Sequence, residues 1–359
     1  MAKCMIAIHD RPGSFSDQWI AFCVANNIPF KRVNAHDSAI ISQLSDCSGF
    51  MWHWHHNDSA SQLFARQLTL SVEKMGIKVF PNANTAWHFD DKVGQKYLYE
   101  SLKLPLVPSY VFYEKSKALE WVGTAEYPLV FKLRGGAGAQ NVILVKDRPQ
   151  AKRLVYRAFS RRGFPAFSLE AYTQQTIWEF RRDRTFKQLL RIPYWAIRTL
   201  AGLKPRKARM LPSQNGYVYF QQFVPNNDFD DRIVVIGDRC FCVRRYCRPN
   251  DFRASGSGVL HHDHTIFPTK TIETAFRVAK SLNSQSIALD FIYDREGAPL
   301  FVESSYCYAA GKAYEECDGY FDSNLKWHDI PVRPQQFIIE DFLGQIASHP
   351  LDATAFSSD

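Results

Sequence analysis

The chain has 359 residues, of which 46% are hydrophobic and 22% charged, a composition typical of a folded protein with two or three domains. It contains no apolar run of about eighteen residues, and its first residues lack the long apolar core of a secretory signal, so we expect neither a membrane-spanning helix nor a signal peptide. The eight cysteines form no Cys-x-x-Cys pair, which favours reduced thiols and a cytoplasmic location.

Residues 1–84 alternate short apolar runs with segments of helical spacing. The run "CMIAIHD" predicts a first strand, "SFSDQWIAFCVANN" a helix that begins after a serine, and "KVFPN" a last strand. This alternation predicts a parallel α/β sheet. The G-x-G-x-x-G fingerprint of dinucleotide-binding domains does not follow the first strand.

Three histidines, His53, His55 and His56, crowd the end of the third predicted strand in "MWHWHHND". In a strand, His53 and His55 would share one face, but no nearby Cys or paired acid completes a metal site. The favoured interpretation is a loop that lines a cleft beside the next domain, with contact to a substrate as one role for it.

Residues 85–150 are predicted to form a helix, a strand and then a glycine loop between two further strands. Lys92 falls at the start of the helix, and Lys132 lies on the strand before the loop. The loop contains three glycines, Gly135, Gly136 and Gly138. Such a loop can fold over phosphate groups and offer them backbone N–H groups, although the pattern also fits a plain glycine-rich hairpin turn.

Positive charge is concentrated in residues 151–215. Residues 151 to 210 contain fifteen Lys and Arg but only three acids, whereas the formal charge of the whole chain is +8. Three roles fit this segment: a structural insertion with a solvated face, capture of a polyanionic acceptor such as a glycan, or contact with a membrane surface. Nucleic acid is not expected as a partner, because no recognition fold accompanies the charge.

The stretch "IALDFIYDREGAPLFVESS", residues 287–305, predicts two antiparallel strands around a Gly/Pro turn. If the turn is centred between Glu296 and Gly297, Asp290 lies opposite Glu303 with Cβ atoms about 5 Å apart. The two charges repel, so a shared proton, an Arg or Lys, or a divalent cation such as Mg²⁺ must offset them. A register shift of one residue would place the acids on opposite faces, and two exposed acids on an edge hairpin remain an alternative.

Taken in order, these motifs resemble the ATP-grasp superfamily, especially the branch near the ribosomal-protein glutamate ligases and the ATP-grasp proteins of surface-polysaccharide biosynthesis. The resemblance covers residues 85–343 and implies an α/β (α+β) fold, with a Rossmann-like pre-ATP-grasp domain before two α+β lobes that clasp ATP. The expected segments are the first domain at 1–84, the N-lobe at 85–150, the basic insertion at 151–215, the C-lobe with the Mg²⁺ site at 216–345 and a flexible tail at 346–359.

The resemblance also assigns roles to single residues. Arg253 in "DFRAS" matches the arginine that holds the transferred phosphate and the acyl group, and Arg232 is expected to join it in catalysis. The residues expected to bind ATP are Lys92, Lys132, Gly135, Gly136, Gly138, Gln222, Phe223, Val224 and the ribose-binding Asp230. The expected ligands of one or two Mg²⁺ ions are Asp290, Glu303 and Ser305. Ser305 and Ser255 stand where relatives usually carry Asn. A hydroxyl is a weaker neutral oxygen ligand than an amide carbonyl, so these two serines put in question how tightly a second Mg²⁺ ion would bind, but not the class of activity.

The implied function is an ATP-dependent, ADP-forming carboxylate–amine ligase that works through an acyl phosphate and forms an amide bond. Its substrates would be an acidic carboxylate acceptor and an amine, and the finer expectation is an amino acid joined to a uronic-acid-containing surface polysaccharide. The alternatives are a peptide or protein amino-acid ligase and a catalytically inactive nucleotide-binding protein. The sequence is compatible with a homo-oligomer and with peripheral contact at the inner face of a membrane.

Overall fold

The computed structural model describes residues 5–56, 58–136, 142–165, 210–249, 251–308 and 312–348, together with isolated helical positions between 173 and 197. Gly138, most of the predicted basic insertion and the part of the predicted tail beyond Ser348 lie outside the described residues. The described strands belong to three sheets.

The first sheet is parallel, with strand order β2-β1-β3-β4, as the alternation of strand and helix predicts. All four residues of its central strand β1 are buried. Side-chain oxygens cap two of the helices, because Ser14 accepts from the N–H of Ser16 and Asp58 from that of Ala60. The elements are β1 Ile6–His9, α1 Phe15–Ala25, β2 Phe30–Val33, α2 Ile40–Leu44, β3 Gly49–Met51, α3 Ser59–Lys74 and β4 Lys78–Phe80.

The second sheet is antiparallel, with strand order β5-β8-β6-β7. Its strands β6 and β7 pair on either side of the glycine loop, which confirms the predicted strand–loop–strand arrangement. Helices α6 and α7 pack on this sheet through a small apolar core of their own. The elements are α4 Ala83–Ala86, α5 Lys92–Ser101, β5 Ser109–Phe112, α6 Lys115–Thr124, β6 Leu129–Lys132, β7 Ile143–Val145, α7 Arg148–Ala158 and β8 Val218–Gln222.

The third sheet is the largest, with strand order β13-β12-β9-β10-β14-β15 and β11 paired to β10. Its helix α8 covers one face with six buried residues. A 3₁₀ turn at His264–Ile266 precedes that helix. The elements are β9 Phe229–Ile236, β10 Arg239–Tyr246, β11 Leu260–His261, α8 Thr269–Ser281, β12 Ser286–Tyr293, β13 Pro299–Ser305, α9 Lys312–Glu315, β14 Tyr320–Asp322, β15 Trp327–His328 and α10 Pro334–Ser348.

The last helix, α10, packs against the first sheet, so the first and third sheets share one continuous core. A Cβ atom at Gly49 would lie 2.7 Å from atoms of both Phe342 and Ile346, so only glycine allows this close approach. The domain boundaries remain predictions. The boundary predicted at 84/85 falls inside α4, and the tail predicted from 346 begins inside α10, where Ile346 is buried.

Candidate functional site

A cavity of about 480 Å³ lies between the second and third sheets, a volume within the range of small-molecule sites. Most of the residues predicted for nucleotide, metal or catalysis line it. They are Lys92, Lys132, Gly136, Gln222, Phe223, Val224, Asp230, Arg232, Arg253, Asp290, Glu303 and Ser305. Gly135 is not among the lining residues, because it packs against Asp90.

The hairpin of β12 and β13 pairs Asp290 directly with Glu303, the predicted register. A bulge follows Asp290, so the pairing shifts by one residue toward the turn, where Gly297 takes a φ of +76°. Both acids therefore face the same cavity. The alternative in which they lie on opposite faces of the hairpin is excluded.

Basic side chains offset the charge of this acid pair. Arg232 donates from Nε and Nη2 to the two oxygens of Asp290 at 2.7 and 2.8 Å, and Arg245 Nη2 lies 2.7 Å from Asp290 Oδ2. Burial alone would raise the pKa of Asp290, but the two guanidinium groups hold it well below its ordinary value. Lys92 Nζ donates to Glu303 Oε1 at 2.9 Å. Of the three devices that the sequence allows, these contacts show Arg and Lys.

Lys92 connects the glycine loop to the acid pair. It is the first residue of α5, it is buried, and its Nζ donates to the carbonyl of Gly136 at 2.9 Å as well as to Glu303. The backbone N–H of Gly136 in turn donates to Asp90 at 2.7 Å. One ammonium group thus positions the start of the loop relative to the hairpin, although Gly136 and Glu303 are 167 residues apart in the chain.

Lys132 lies at the end of β6 with only 5% of its surface exposed. Its Nζ donates to Gln221 Oε1 at 2.6 Å, and Gln221 donates to Ser109 Oγ at 3.0 Å. Burial lowers the pKa of Lys132 to about 8, and the nearby Lys92 acts in the same direction, while Glu303 opposes both. A lysine with this pKa is largely charged at neutral pH and can attract a phosphate group.

ATP affinity is expected to fall as the pH rises through about 8. The ammonium form of Lys132 is the form that attracts phosphate, and it is lost above its lowered pKa, so the Kd for ATP should rise by up to about tenfold per pH unit there. Isothermal titration between pH 7 and 9 measures this. Lys132→Met should bind ATP more weakly, with a Kd that depends less on pH. The control is Lys96→Met, because Lys96 lies outside the cavity; this variant should keep the wild-type dependence of Kd on pH. A wild-type Kd that does not change over this range would contradict the assignment.

Arg245 is a site residue that the sequence did not single out. It is 7% exposed, and it makes two hydrogen bonds of 2.6 Å to Asp230 besides its contact with Asp290. Its neighbour Arg244 points to the other face of β10 and pairs with Asp231 at 2.7 and 2.9 Å. The predicted ribose-binding acid, Asp230, is therefore held by Arg245 and still lines the cavity.

The segment Gln222–Val224 joins the second sheet to the third, because β8 ends at Gln222 and β9 begins at Phe229. The Gln222 N–H donates to the carbonyl of Pro108 at 2.9 Å. Phe223 packs edge-on against Phe252, with ring centroids 6.0 Å apart. An aromatic wall beside the half-buried Phe223 and Val224 suits a flat heterocycle, as expected for adenine.

Two predicted side chains are engaged locally. Arg253 donates from Nη2 to Asp251 at 2.7 Å, so a phosphate would have to compete with this carboxylate for the guanidinium. Ser305 Oγ donates to the carbonyl of Cys307 at 2.8 Å and accepts from the Cys307 N–H at 3.1 Å. The Ser305 hydroxyl thus closes a turn, and this limits its availability as a metal ligand.

The donor set fits Mg²⁺ with a polyphosphate. Glu303 binds Lys92 through Oε1 only, among the contacts of the described residues, and Asp290 is ionised and faces the cavity. Oxygen donors of this kind are those that Mg²⁺ takes together with phosphate. Lys92, Lys132 and Arg232 bring positive charge to the same cavity, which favours an anionic ligand.

His55 and His56 line the cavity, as predicted for a cleft loop, whereas His53 is buried behind them. Strand β3 ends at Met51, before all three histidines. No cysteine lies close to these histidines in the sequence beyond Cys47, but the fold brings the distant Cys307 beside His55 and His56. The only signal for this contact in the sequence was the position of Cys307 shortly after Glu303.

No protein-family model matches the chain, and no curated protein matches it in sequence. Solved structures share its architecture. A RimK-domain ATP-grasp protein from Sphaerobacter thermophilus is similar over 85% of this chain and 92% of its own, at 15% identity and a TM-score of 0.51. D-alanine–D-alanine ligase from Bacillus anthracis is similar over 96% and 99%, at 11% identity and 0.55. The ATP-grasp ligase PsnB, solved with its minimal precursor, is similar over 96% and 100%, at 12% identity and 0.55.

The chain has the ATP-grasp fold, as the resemblance of its motifs predicted. The cavity described above lies between the second and third sheets. In the part of the chain that the structure describes, no helix is long and apolar enough to cross a membrane.

Proposed function

We propose that the protein is an ATP-dependent ligase that phosphorylates a carboxylate, releases ADP and transfers the activated acyl group to an amine. The observation that carries the proposal is the pairing of Asp290 with Glu303 on one wall of a cavity that basic side chains also line, between the second and third sheets. Solved ligases of the same fold support it. The D-alanine–D-alanine ligase was also solved with ATP, and PsnB with Mg and ADP.

The residues of the cavity have separate roles in this proposal. Asp290 and Glu303 would hold Mg²⁺, which neutralises the charge that develops on the transferred phosphate. Lys132 and Lys92 hold phosphate oxygens, and the segment Gln222–Val224 holds the adenine. Transfer needs little covalent chemistry from the protein, because alignment and charge compensation supply most of the rate. Arg253 would leave Asp251 and bind the acyl phosphate, since its planar guanidinium matches both groups.

The finer substrate assignment also belongs to the proposal. An amino acid joined to a uronic-acid-containing surface polysaccharide fits an enzyme with a strongly basic segment at 151–215. A peptide or protein carboxylate is the alternative, favoured by the likeness to PsnB, which was solved with a precursor peptide. A nucleotide-binding protein without catalysis is disfavoured, because the charged residues of the site are all present in one cavity.

Trapping of the intermediate tests the proposal. Purified protein with Mg²⁺–ATP and hydroxylamine is offered three classes of carboxylate: uronic-acid oligosaccharides, free amino acids and acidic peptides. An acyl phosphate reacts with hydroxylamine, so we expect ADP and a hydroxamate in equal amounts with one class only. AMP and pyrophosphate would mean adenylation and would overturn the mechanism. ATP binding without ADP from any class would favour the inactive nucleotide-binding protein.

A further inference from the structure

The side chains of His55, His56 and Cys307 form a cluster at the edge of the cavity. A ring nitrogen of each histidine and the sulfur of Cys307 all lie within 4.8 Å of one another, and among the described residues this is the one such group of three or more His, Cys, Asp or Glu side chains. The two imidazoles are nearly in contact, with ring centroids 3.9 Å apart. The three residues come from two distant parts of the chain, the loop after β3 and the turn after β13.

The sulfur of Cys307 accepts a hydrogen bond from a buried histidine. His53 Nδ1 accepts from the backbone N–H of Phe15 at 3.3 Å, so neutral His53 carries its proton on Nε2. That Nε2–H points at Cys307 Sγ, 3.2 Å away. His53 is 3% exposed and stacks on Phe15 with ring centroids 3.7 Å apart, which fixes its orientation. A fixed N–H donor to a cysteine sulfur is the outer partner that a metal-bound thiolate needs.

The chemistry of the cluster differs from that of the acid pair in the same cavity. Two imidazole nitrogens and a thiolate suit Zn²⁺ or a similar transition metal, whereas Asp290 and Glu303 offer the oxygen atoms that Mg²⁺ prefers. Nitrogen and sulfur ligands of tetrahedral zinc lie about 3.3–3.6 Å apart, given bonds of about 2.0 and 2.3 Å. The cluster, whose ligand atoms lie within 4.8 Å of one another, needs to contract by about 1 Å to reach these separations.

We propose that His55, His56 and Cys307 form a transition-metal site of the zinc type, with its fourth position open to the cavity. Three protein ligands and one open position are the pattern of zinc sites that bind a substrate, whereas structural sites are closed by four. If the proposed ligase function holds, the open position takes a carboxylate of the amine-bearing substrate. The attacking nitrogen must keep its lone pair, so it is not the group that the metal holds.

Metal titration without ATP or substrates tests the site separately from the ligase activity. Chelator-treated protein is titrated with Zn²⁺, and in parallel with Co²⁺, in buffer that contains Mg²⁺. We expect one Zn²⁺ per chain and, with Co²⁺, a sulfur-to-metal charge-transfer band. Cys307→Ser should lose the band, and His55→Ala or His56→Ala should weaken zinc binding by more than the roughly 10- to 100-fold typical of losing an outer partner.

Cys247→Ser is the matched control, because Cys247 lines the same cavity but lies outside the cluster. It should keep both the band and the zinc affinity, with far-UV circular dichroism as the check on folding. X-ray absorption of the wild type with bound zinc needs no variant and should count one sulfur and two imidazoles. Zinc bound without sulfur, or zinc affinity unchanged in Cys307→Ser, would overturn the site.

Discussion

Glu303→Gln is expected to lower ATP turnover by about 10²–10³-fold while the protein stays folded. The amide keeps an oxygen that accepts from Lys92, so the local hydrogen bond survives, but the negative charge that faces Mg²⁺ and the phosphates is lost. The side chain is 30% exposed, which limits the cost of the change to stability. Steady-state ADP release at saturating ATP measures the effect, and the melting temperature checks folding.

The matched control is Glu296→Gln, which removes the same charge at the exposed turn of the same hairpin. It should turn over ATP at the wild-type rate. Asp290→Asn should be as inactive as Glu303→Gln and also less stable, because Arg232 would lose its charged partner and Arg245 one of its two. Wild-type turnover in Glu303→Gln would show that the acid pair serves only the packing of the hairpin.

Arg245→Met should lower the free energy of unfolding by about 3–5 kcal/mol, the usual cost of removing one partner from a buried ionic network. The substitution leaves Asp230 without its two hydrogen bonds and Asp290 with Arg232 alone. Met fills most of the volume of the arginine side chain, so the lost stability comes from the uncompensated charge of Asp230 and Asp290 rather than from a cavity. Urea unfolding followed by fluorescence measures it.

Arg295→Met serves as the control, because Arg295 is exposed in the turn between β12 and β13. It should change the free energy of unfolding by less than about 0.5 kcal/mol. A double variant, Arg245→Met with Asp230→Asn, should recover part of the loss by removing one of the unpaired charges. If Arg245→Met is as stable as the wild type, the network does not hold the wall of the cavity.

Local pattern was sufficient to predict the hairpin. The alternation of apolar residues and the single turn fix the register, so the pairing of Asp290 with Glu303 followed from counting along the strands. Its basic partners were harder to predict. Arg232 donates across to the adjacent strand β12, and Lys92 reaches Glu303 from 211 residues away in the chain, so only the packed fold brings them together.

Gln221 and Gln222, adjacent residues on β8, illustrate why the face on which a strand residue lies can be hard to predict from sequence. The prediction assigned the backbone of Gln222 to the nucleotide and did not single out the preceding Gln221, which is buried and bonded to Lys132. Strand residues alternate between faces, and two identical neighbours give no pattern that tells which face is which. The contact between Cys307 and the histidines could not be predicted for a different reason, because the two segments lie far apart in the chain and only the fold brings them together.

The packing of α10 on the first sheet has a consequence for synthesis of the protein on the ribosome. Trp19 donates its indole N–H to the carbonyl of Gln335 at 3.1 Å, across 316 residues, and Phe342 fills the space above Gly49. The first sheet is translated before α10 and therefore completes its core only after the segment from Pro334 onward has left the exit tunnel. Contacts this distant in sequence slow folding. A nascent chain stopped before α10 should expose the apolar side of its first sheet to chaperones and proteases.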